Sequence, residues 1–200
     1  RRSGSYLKIR RSTTSLENAA TSSDIHSFAT GTDEERLVEK DGYLLVMYWR
    51  SSQCYTYRST DQGSTWSSVS PPSSQQYPYH LKYIGNTLYS VGSEGIYRSS
   101  NYGSSWTQLS TEPNGGTFQD VESDGHYLYA FSNVNITNNS GSGSRRTGYV
   151  YRSANNGASW TQMDQTDPGG QSYGGSYHYP TLTGFAVGGG RMTLQGMYNQ

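Results

Sequence analysis

Five acidic residues are the side chains best suited to hydrolytic chemistry in this chain. Hydrolysis of a glycosidic bond needs two opposed carboxyl groups, one that donates a proton and one that acts as a base or a nucleophile. No motif in the sequence pairs any two of these carboxyl groups, and no G-x-S-x-G motif between a strand and a helix offers a serine nucleophile instead. The five candidates are Glu94, Glu112, Asp120, Asp164 and Asp167.

The histidines and the single cysteine give no pattern typical of a metal site. His26, His80, His126 and His178 show none of the short spacings, such as H-x-x-x-H, that bind a metal ion. Cys54 is alone, which excludes an internal disulfide bond and predicts a small buried side chain in a strand. We therefore expect no metal, no cofactor and no catalytic residue, which favours a binding protein over an enzyme.

Charge and hydropathy exclude two classes of partner. Fifteen basic and fifteen acidic residues give a formal net charge of zero, so the chain lacks the electrostatic footprint of a protein that binds nucleic acid or an anionic membrane. No apolar run approaches the roughly 20 residues that a membrane-spanning helix needs. We expect neither nucleic-acid binding nor insertion into a membrane.

The aromatic content predicts a folded β protein, although aliphatic residues are scarce. Hydrophobic residues make up 32% of the chain, and they include 19 tyrosines and four tryptophans. Disordered chains rarely carry so many aromatic side chains. Tyrosine and tryptophan suit half-buried strand faces, where the ring packs and the polar end reaches water.

A ten-residue phrase occurs three times and organises the chain. It reads YRSTDQGSTW from Tyr57, YRSSNYGSSW from Tyr97 and YRSANNGASW from Tyr151. Each copy has a β-prone start, a polar turn with one glycine, and a tryptophan at its end. The first interval is 40 residues (57 to 97) and the second is 54 (97 to 151). A period of about 40 residues is typical of β-propeller blades.

The longer interval contains a polar stretch rich in asparagine, serine and glycine, from Ser132 to Gly148. Such a composition predicts a loop insertion. Removal of about 14 residues from this stretch restores the shorter period.

Each period is predicted to form four short strands. Asp-Gly or Gly-Asn pairs stand between β-prone runs at residues 41–42, 85–86 and 124–125, which is a strong hairpin signal. Because no helical periodicity occurs, each period is predicted to be a four-stranded antiparallel meander. The three predicted blades span residues 36–69, 79–109 and 118–163.

The two ends of the chain are predicted to share a further blade. Residues 185–197 resemble the first two strands of a blade, and residues 6–20 resemble the last two. Joining them would remove exposed sheet edges, which otherwise promote aggregation. The predicted fold is an all-β, single-domain β-propeller over residues 1–200, with four blades, one of them a composite blade closed by the N- and C-terminal strands. The alternative is a fragment of a six- or seven-bladed propeller.

The repeated phrase resembles the Asp box of the bacterial neuraminidase repeat (BNR) family of β-propellers. Ser59–Trp66 matches the pattern S-x-D-x-G-x-T-W at every fixed position. Ser99–Trp106 and Ser153–Trp160 differ only by Asn for Asp and Ser for Thr, and an eroded copy at Ser12–Ala19 lacks the Gly and the Trp. The resemblance covers residues 36–163 directly.

The resemblance implies a structural role for the boxes. In propellers of this family the boxes lie on the face away from the functional site. The acidic or amide side chain bonds to its own turn, and the tryptophan inserts between sheets. The implied structural residues are Ser59, Asp61, Gly63, Trp66, Ser99, Asn101, Gly103, Trp106, Ser153, Asn155, Gly157 and Trp160.

The same resemblance leaves the function open, because the family includes sialidases, other glycan-active propellers, sortilin-type receptors and photosystem assembly factors. A sialidase-like hydrolase needs three arginines around the substrate carboxylate, and the usual Arg-Ile-Pro motif is absent here. Arg58, Arg98 and Arg152 each stand just before a box, which makes them part of the repeat. Their repetition predicts a strand-end position with no catalytic role.

Blade topology predicts a candidate binding face at the end of the sheets opposite the boxes. The connections between blades and the loops from second to third strands meet there. Loops on a rigid scaffold commonly carry function, and tyrosine together with Ser, Gly and Asn is typical of recognition surfaces. The candidate ligand-binding residues are Trp49, Arg50, Tyr77, Tyr79, His80, Tyr173, Tyr177, His178 and Tyr179.

These observations favour a non-catalytic β-propeller on an extracellular or virion surface, with a glycan or a surface protein as its partner. Homo-oligomerisation, or a place in a larger surface assembly, fits the same observations. The alternative function is a sialidase-like glycoside hydrolase or a fragment of one.

Overall fold

The described secondary structure consists of β-strands joined by turns. No helix in this part of the chain is long and apolar enough to cross a membrane. Four features predicted from the sequence lie outside the described residues: Glu112, Asp167, Tyr179 and the eroded box at Ser12–Ala19. The computed structural model describes residues 6–11, 23–30, 34–109, 117–137, 144–166, 171–173, 176–178, 181–188 and 191–197.

Three four-stranded antiparallel sheets have their strands in chain order, which confirms the predicted meander in each period. Sheet I contains β3 (Glu34–Lys40), β4 (Tyr43–Arg50), β5 (Gln53–Ser59) and β6 (Ser67–Val69). Sheet II contains β7 (Pro78–Ile84), β8 (Thr87–Gly92), β9 (Gly95–Ser99) and β10 (Thr107–Gln108). Sheet III contains β11 (Thr117–Ser123), β12 (Leu128–Thr137), β13 (Ser144–Ser153) and β14 (Thr161–Thr166).

The other described strands form three two-stranded antiparallel sheets. These pairs are β1 (Tyr6–Arg11) with β2 (Ser23–Thr30), β15 (Gln171–Tyr173) with β16 (Ser176–His178), and β17 (Thr181–Gly188) with β18 (Arg191–Met197).

The tight turns of sheet I follow from left-handed backbone conformations. Asp41 and Gly42, which join β3 to β4, have φ values of 53° and 83°. Two successive residues with positive φ form the hairpin turn that matches the right-handed twist of the flanking strands, and Asp-Gly favours it. Ser51 and Ser52 make the turn from β4 to β5 with φ values of 48° and 62°. No glycine marks that turn in the sequence.

Most of the polar stretch from Ser132 to Gly148 lies in two paired strands, so its prediction as a loop insertion was wrong. β12 and β13 stay paired, without a register shift, from Leu128 opposite Ser153 to Thr137 opposite Ser144. A continuous backbone ladder thus extends through residues whose composition favours loops, because each added pair continues an existing sheet.

The terminal strands form the two halves of the predicted composite blade, but the described residues show no pairing between these halves. Tyr6–Arg11 pairs with Ser23–Thr30, and Thr181–Gly188 pairs with Arg191–Met197, in two separate sheets. Among the described residues, β18 and β1 belong to no common sheet. The second strand of the N-terminal pair therefore begins at Ser23, beyond the predicted end at residue 20.

Apolar clusters join the sheets in chain order. Sheets I and II meet at a cluster that includes Leu45, Met47 and Leu88, and sheets II and III meet at one that includes Val91 and Phe118. Ile9 of β1 packs on Val46 and Tyr48 of sheet I, while Val187 of β17 packs on Phe131 and Val150 of sheet III. Each large sheet is thus buried on both faces, which explains the nearly continuous burial of β4 and β8.

The first box turn is held by a network of its own side chains. Ser59 Oγ donates to Asp61 Oδ1 at 2.8 Å and accepts from the N–H of Gly63 at 2.7 Å. Asp61 accepts from the N–H and the hydroxyl of Thr65 at 2.8 and 2.7 Å. These bonds lower the pKa of Asp61 to about 2, with the Thr65 N–H as the largest cause.

The two Asn boxes keep the same network with one bond reversed. Asn101 Oδ1 accepts from the N–H of Ser105 at 2.9 Å, as the Asp61 carboxylate does from Thr65. Asn101 Nδ2 then donates to the Ser105 hydroxyl at 2.8 Å, whereas in the first box the hydroxyl is the donor. Asn155 and Ser159 repeat this arrangement. A hydroxyl can donate or accept, so both side chains fit the turn.

Candidate functional site

Three aromatic side chains meet at the end of sheets I and II that lies opposite the box turns. The ring of Trp49 lies 5.3 Å from that of Tyr77 in an edge-on arrangement, and Tyr77 lies 5.9 Å from Tyr79. All three are half-buried. We call Trp49, Tyr77 and Tyr79 the aromatic patch. The structure therefore brings together three of the residues predicted to bind a ligand.

The backbone of Tyr77 is fixed by the turn between β8 and β9. The N–H of Tyr77 donates to Ser93 Oγ at 3.0 Å, and the N–H of Ser93 donates to the carbonyl of Tyr77 at 3.2 Å. The fully buried Gln76 accepts from the N–H of Glu94 at 2.8 Å and donates to the carbonyl of Gly95 at 3.1 Å. These bonds make a rigid support for one ring of the patch.

Gly92 lets the two segments approach closely. A β-carbon at this position would overlap the carbonyl oxygen of Tyr77 and the side chain of Gln76. Only glycine fits there, because the obstruction includes backbone. The geometry of the aromatic patch therefore depends on a residue that carries no side chain.

Arg36 links the aromatic patch to a layer of charged residues. Its Nε donates to the carbonyl oxygen of Tyr79 at 2.7 Å, and its Nη1 pairs with Glu34 at 2.9 Å. Arg36 lies on β3, the first strand of sheet I, which is adjacent to β7, the first strand of sheet II. The link ties the position of the Tyr79 backbone to the neighbouring sheet.

The charged layer is formed by the adjacent first strands of sheets II and III. Lys82 Nζ lies 2.6 Å from Asp120 Oδ1 and 2.7 Å from Glu122 Oε1. His80 Nδ1 lies 3.8 Å from Asp120 Oδ1. The Asp120 side chain is only 7% exposed, so it is a buried charge whose compensation by Lys82 is needed.

Two groups of the layer have shifted pKa values. Burial lowers the pKa of His80 below its ordinary value, and the nearby Asp120 carboxylate opposes this shift. The positive charges of Lys82 and Arg36 act in the same direction as burial, so the imidazole is neutral near pH 7. Burial also opposes the charged form of Lys82, but hydrogen bonds to Asp120 and Glu122 outweigh it and raise the Lys82 pKa.

Sequence reasoning missed Lys82 and Glu122 and left Asp120 without a partner. A signal for the layer exists in the repeat. Arg36, His80 and Asp120 occupy the same register position of three successive first strands, opposite Met47, Val91 and Phe131 respectively. Lys82 and Glu122 stand two residues further along their strands, opposite Tyr89 and Tyr129. Aligning first strands as well as boxes would have shown charged residues in register.

The other predicted ligand-binding residues in the described strands lie on β4, β15 and β16. Arg50 follows Trp49 on β4, so its side chain projects from the opposite face. There its positive charge partly offsets the rise that burial causes in the pKa of Tyr48. Tyr173 lies in β15, opposite Ser176 of β16. Tyr177 and His178 lie in β16, opposite Ser172 and Gln171 respectively.

Two of the remaining candidates for hydrolytic chemistry belong to different sheets. Glu94 lies exposed in the turn between β8 and β9, and Asp164 lies in β14 opposite Val150. Among the described residues, no group of three or more His, Cys, Asp or Glu side chains could hold a metal ion. Cys54 is a buried free thiol whose pKa is raised by burial to about 12.

Two of the three arginines before the boxes reach into the next sheet. Arg58 Nη1 of sheet I lies 3.4 Å from the carbonyl oxygen of Asn101 in sheet II. Arg98 Nη1 of sheet II lies 3.2 Å from the carbonyl oxygen of Asn156 in sheet III. Arg152 stacks over the ring of Tyr127 at 4.6 Å. The first two therefore tie consecutive sheets together at the box end.

No protein-family model matches the chain, and no curated protein matches it either. Among solved structures, the GH74 enzyme of Niastella koreensis is similar over 70% of this chain and 22% of its own, with 18% identity and a TM-score of 0.42. An endo-arabinase from Bacteroides thetaiotaomicron is similar over 74% of this chain and 64% of its own, with 12% identity and a TM-score of 0.41. The chain thus spans less than two thirds of either protein.

Proposed function

We propose that this protein is a non-catalytic recognition module that binds a glycan through the aromatic patch on an extracellular or virion surface. The observation that carries the proposal is the run of three adjacent rings, Trp49, Tyr77 and Tyr79, at the end of the sheets opposite the boxes. The C–H groups on one face of a sugar ring pack against aromatic faces. Tyrosine and tryptophan offer such faces at a low cost in side-chain entropy.

Polar groups beside the patch suit the hydroxyls of a sugar. His80 is 42% exposed and neutral near pH 7, so its imidazole has one donor and one acceptor for hydroxyl groups. Arg36 is held next to Tyr79 by its bond to the Tyr79 carbonyl. A binding surface of apolar rings with a few oriented polar groups is the usual composition of a small-molecule site.

We also propose that the sheets belong to a four-bladed β-propeller closed by a composite blade. The supporting observations are that β1–β2 packs on sheet I and that β17–β18 packs on sheet III. Closure requires Arg191–Met197 to pair with Tyr6–Arg11, in the same chain or in a neighbouring copy. Native mass spectrometry and a crystal structure test this. A monomeric crystal structure with those two strands unpaired contradicts it.

A glycan array and calorimetry test the binding proposal. Tyr77→Ala combined with Tyr79→Ala removes two rings of the patch and is expected to weaken glycan binding at least about 10-fold, as loss of about 1.4 kcal/mol would. Trp49 is left in place because it also packs on the cluster between sheets I and II. Tyr43→Ala is the matched control, since Tyr43 stacks on Tyr102 at the opposite end of the sheets.

The outcomes separate the possibilities. Binding that survives in the double variant removes the aromatic patch as the site. A second outcome is that the unmodified protein binds no glycan on any array and yet captures one purified surface protein. If the double variant does not capture that surface protein, the partner is a protein and not a glycan. Equal loss in Tyr43→Ala indicates a general loss of folding, and a thermal melt of each variant detects it.

A glycoside hydrolase is the second candidate function, favoured by the nearness of Asp120 and Glu122. Both carboxylates lie within 2.7 Å of the same ammonium group, so they are close enough to act on one bond. Lys82 lies between them and forms ion pairs with both carboxylates, however, which leaves less of either group free to meet a glycosidic bond. The ion pairs therefore favour binding over hydrolysis.

Turnover of fluorogenic glycosides tests the second candidate. Hydrolysis that is abolished by Asp120→Asn and by Glu122→Gln, with both variants folded, would establish an enzyme and overturn the non-catalytic proposal. No turnover by the unmodified protein leaves the binding function in place.

A further inference from the structure

A polar pocket of about 260 Å³ lies between sheets II and III at the box end, which is the end of the sheets opposite the aromatic patch. Four hydroxyl groups, one amide and one guanidinium surround it, and none of the six lining residues is acidic. The lining residues are Thr87, Arg98, Ser100, Ser105, Thr107 and Asn156.

The pocket exists because one junction of the repeat lacks an aromatic plug. The residues that correspond to Thr87 and Asn156 at the junction of sheets I and II are Tyr43 and Tyr102. Tyr43 and Thr87 each precede the leucine that pairs with the first box serine. The two tyrosine rings stack at 4.0 Å with an interplanar angle of 12° and so fill the corresponding space.

The lining is chemically selective. Arg98 is the one charged residue among the six, and its bond to the Asn156 carbonyl uses one of the five N–H donors of a guanidinium. Hydroxyl groups can donate to an anion or accept from a sugar hydroxyl. A metal cation would meet no carboxylate, and an apolar ligand would leave the polar lining without partners.

We propose that this pocket binds a small hydroxylated molecule that carries one oxyanion, either a carboxylate or a sulfate. Arg98 pairs with the oxyanion, for which the planar guanidinium has matching geometry. Ser105 and Thr107 on one side and Thr87 on the other offer hydroxyls to the remaining oxygens. The site is independent of the aromatic patch, because the residues of the two sites lie at opposite ends of the sheets.

Three small probes distinguish the source of the charge. The protein is titrated in low salt with glucuronate, with glucose 6-sulfate and with glucose, and amide shifts of Ser105 and Asn156 are followed by NMR. We expect at least one anionic probe to bind about 10-fold more tightly than glucose, since charged hydrogen bonds contribute more than neutral ones. Equal binding of all three probes, or none, overturns the proposal.

Variants locate the binding. Arg98→Gln is expected to weaken binding of the anionic probe at least about 10-fold. Arg58→Gln, at the junction that the two tyrosine rings fill, is the control and is expected to leave this affinity unchanged. Thr87→Tyr with Asn156→Tyr copies the plug and is expected to abolish binding. If that double variant does not fold, Thr87→Val removes one lining hydroxyl at constant volume. Full affinity in Arg98→Gln overturns the proposal whatever the other variants show.

Discussion

The Cδ2 atom of Leu45 lies 2.6 Å from the point at which a β-carbon on Gly103 would stand. Gly103 belongs to the box turn of sheet II, while Leu45 lies on β4 of sheet I. The absence of a side chain in the box therefore lets the leucine of the previous sheet pack directly on the turn. The box glycine serves the junction between sheets as well as its own backbone conformation.

Gly103→Ala is expected to destabilise the protein by about 3 kcal/mol. A left-handed conformation, here φ +77°, costs a residue with a side chain roughly 1–2 kcal/mol, and overpacking against Leu45 adds roughly 1–3 kcal/mol. Gly85→Ala is the matched control, because Gly85 has φ +58° with no atom within 4 Å of the added carbon. Urea unfolding of both variants measures the difference. Equal losses would show that the leucine contact is unimportant.

Asp61→Asn is expected to reduce sensitivity to acid. The Asp61 pKa is about 2 when folded, against 3.8 ordinarily. The lowered pKa stabilises the fold above about pH 4, and that stabilisation is lost as pH falls through 2. Because Asn fits the two other boxes, the variant should fold at pH 7 and lose less stability between pH 4 and 2. An unchanged acid profile in chemical denaturation contradicts this.

Lys82→Met is expected to destabilise the protein by about 3 kcal/mol at pH 7. The change leaves the buried Asp120 carboxylate without its counter-charge, and removal of one partner from a buried ion pair costs roughly 3–5 kcal/mol. Asp120→Asn in the same chain should restore much of the loss. Lys40→Met is the control, since the contact that Lys40 makes within the described part of the chain is a cation–π contact with Tyr83 at 5.6 Å, worth about 0.5–1 kcal/mol. Similar losses for both lysines would contradict a buried ion pair.

The Cys54 thiol is expected to be inert in the folded protein. Burial raises its pKa to about 12, so little of the reactive thiolate is present at pH 8. Treatment with an aromatic disulfide reagent should label no thiol in the native protein and one thiol in urea. Rapid labelling of the native protein would show that the strand pair β4–β5 opens locally.

Much of the fold follows from short local signals in the sequence. The pairs Asp41-Gly42 and Gly85-Asn86 mark hairpins because Asp41, Gly42 and Gly85 adopt positive φ at low cost. The box serines and glycines recur because each turn closes through the same atoms. These interactions involve neighbours in sequence, so the sequence displays them as a repeated phrase.

The features that were missed depend on residues that are distant in sequence. Lys82 meets Asp120 only because the first strands of two sheets lie side by side. Residues 133–137 pair with residues 144–148 because an existing ladder extends through them, which composition does not show. Ser51 and Ser52 adopt a glycine-like turn that the flanking strands impose. In each case tertiary or sheet context outweighs local propensity.

The acceptors of Arg58 and Arg98 are main-chain oxygens at adjacent positions of the receiving box turn, so neither bond between neighbouring sheets depends on which side chain occupies that turn. A duplicated unit of about 40 residues would arrive with its own donor and its own acceptor already in place. Copy number in such a chain could therefore grow by recombination within the gene without compensating substitutions. The variable positions of the turn, occupied by Tyr102 in one copy and by Asn156 in the next, are left free to diverge toward new ligands.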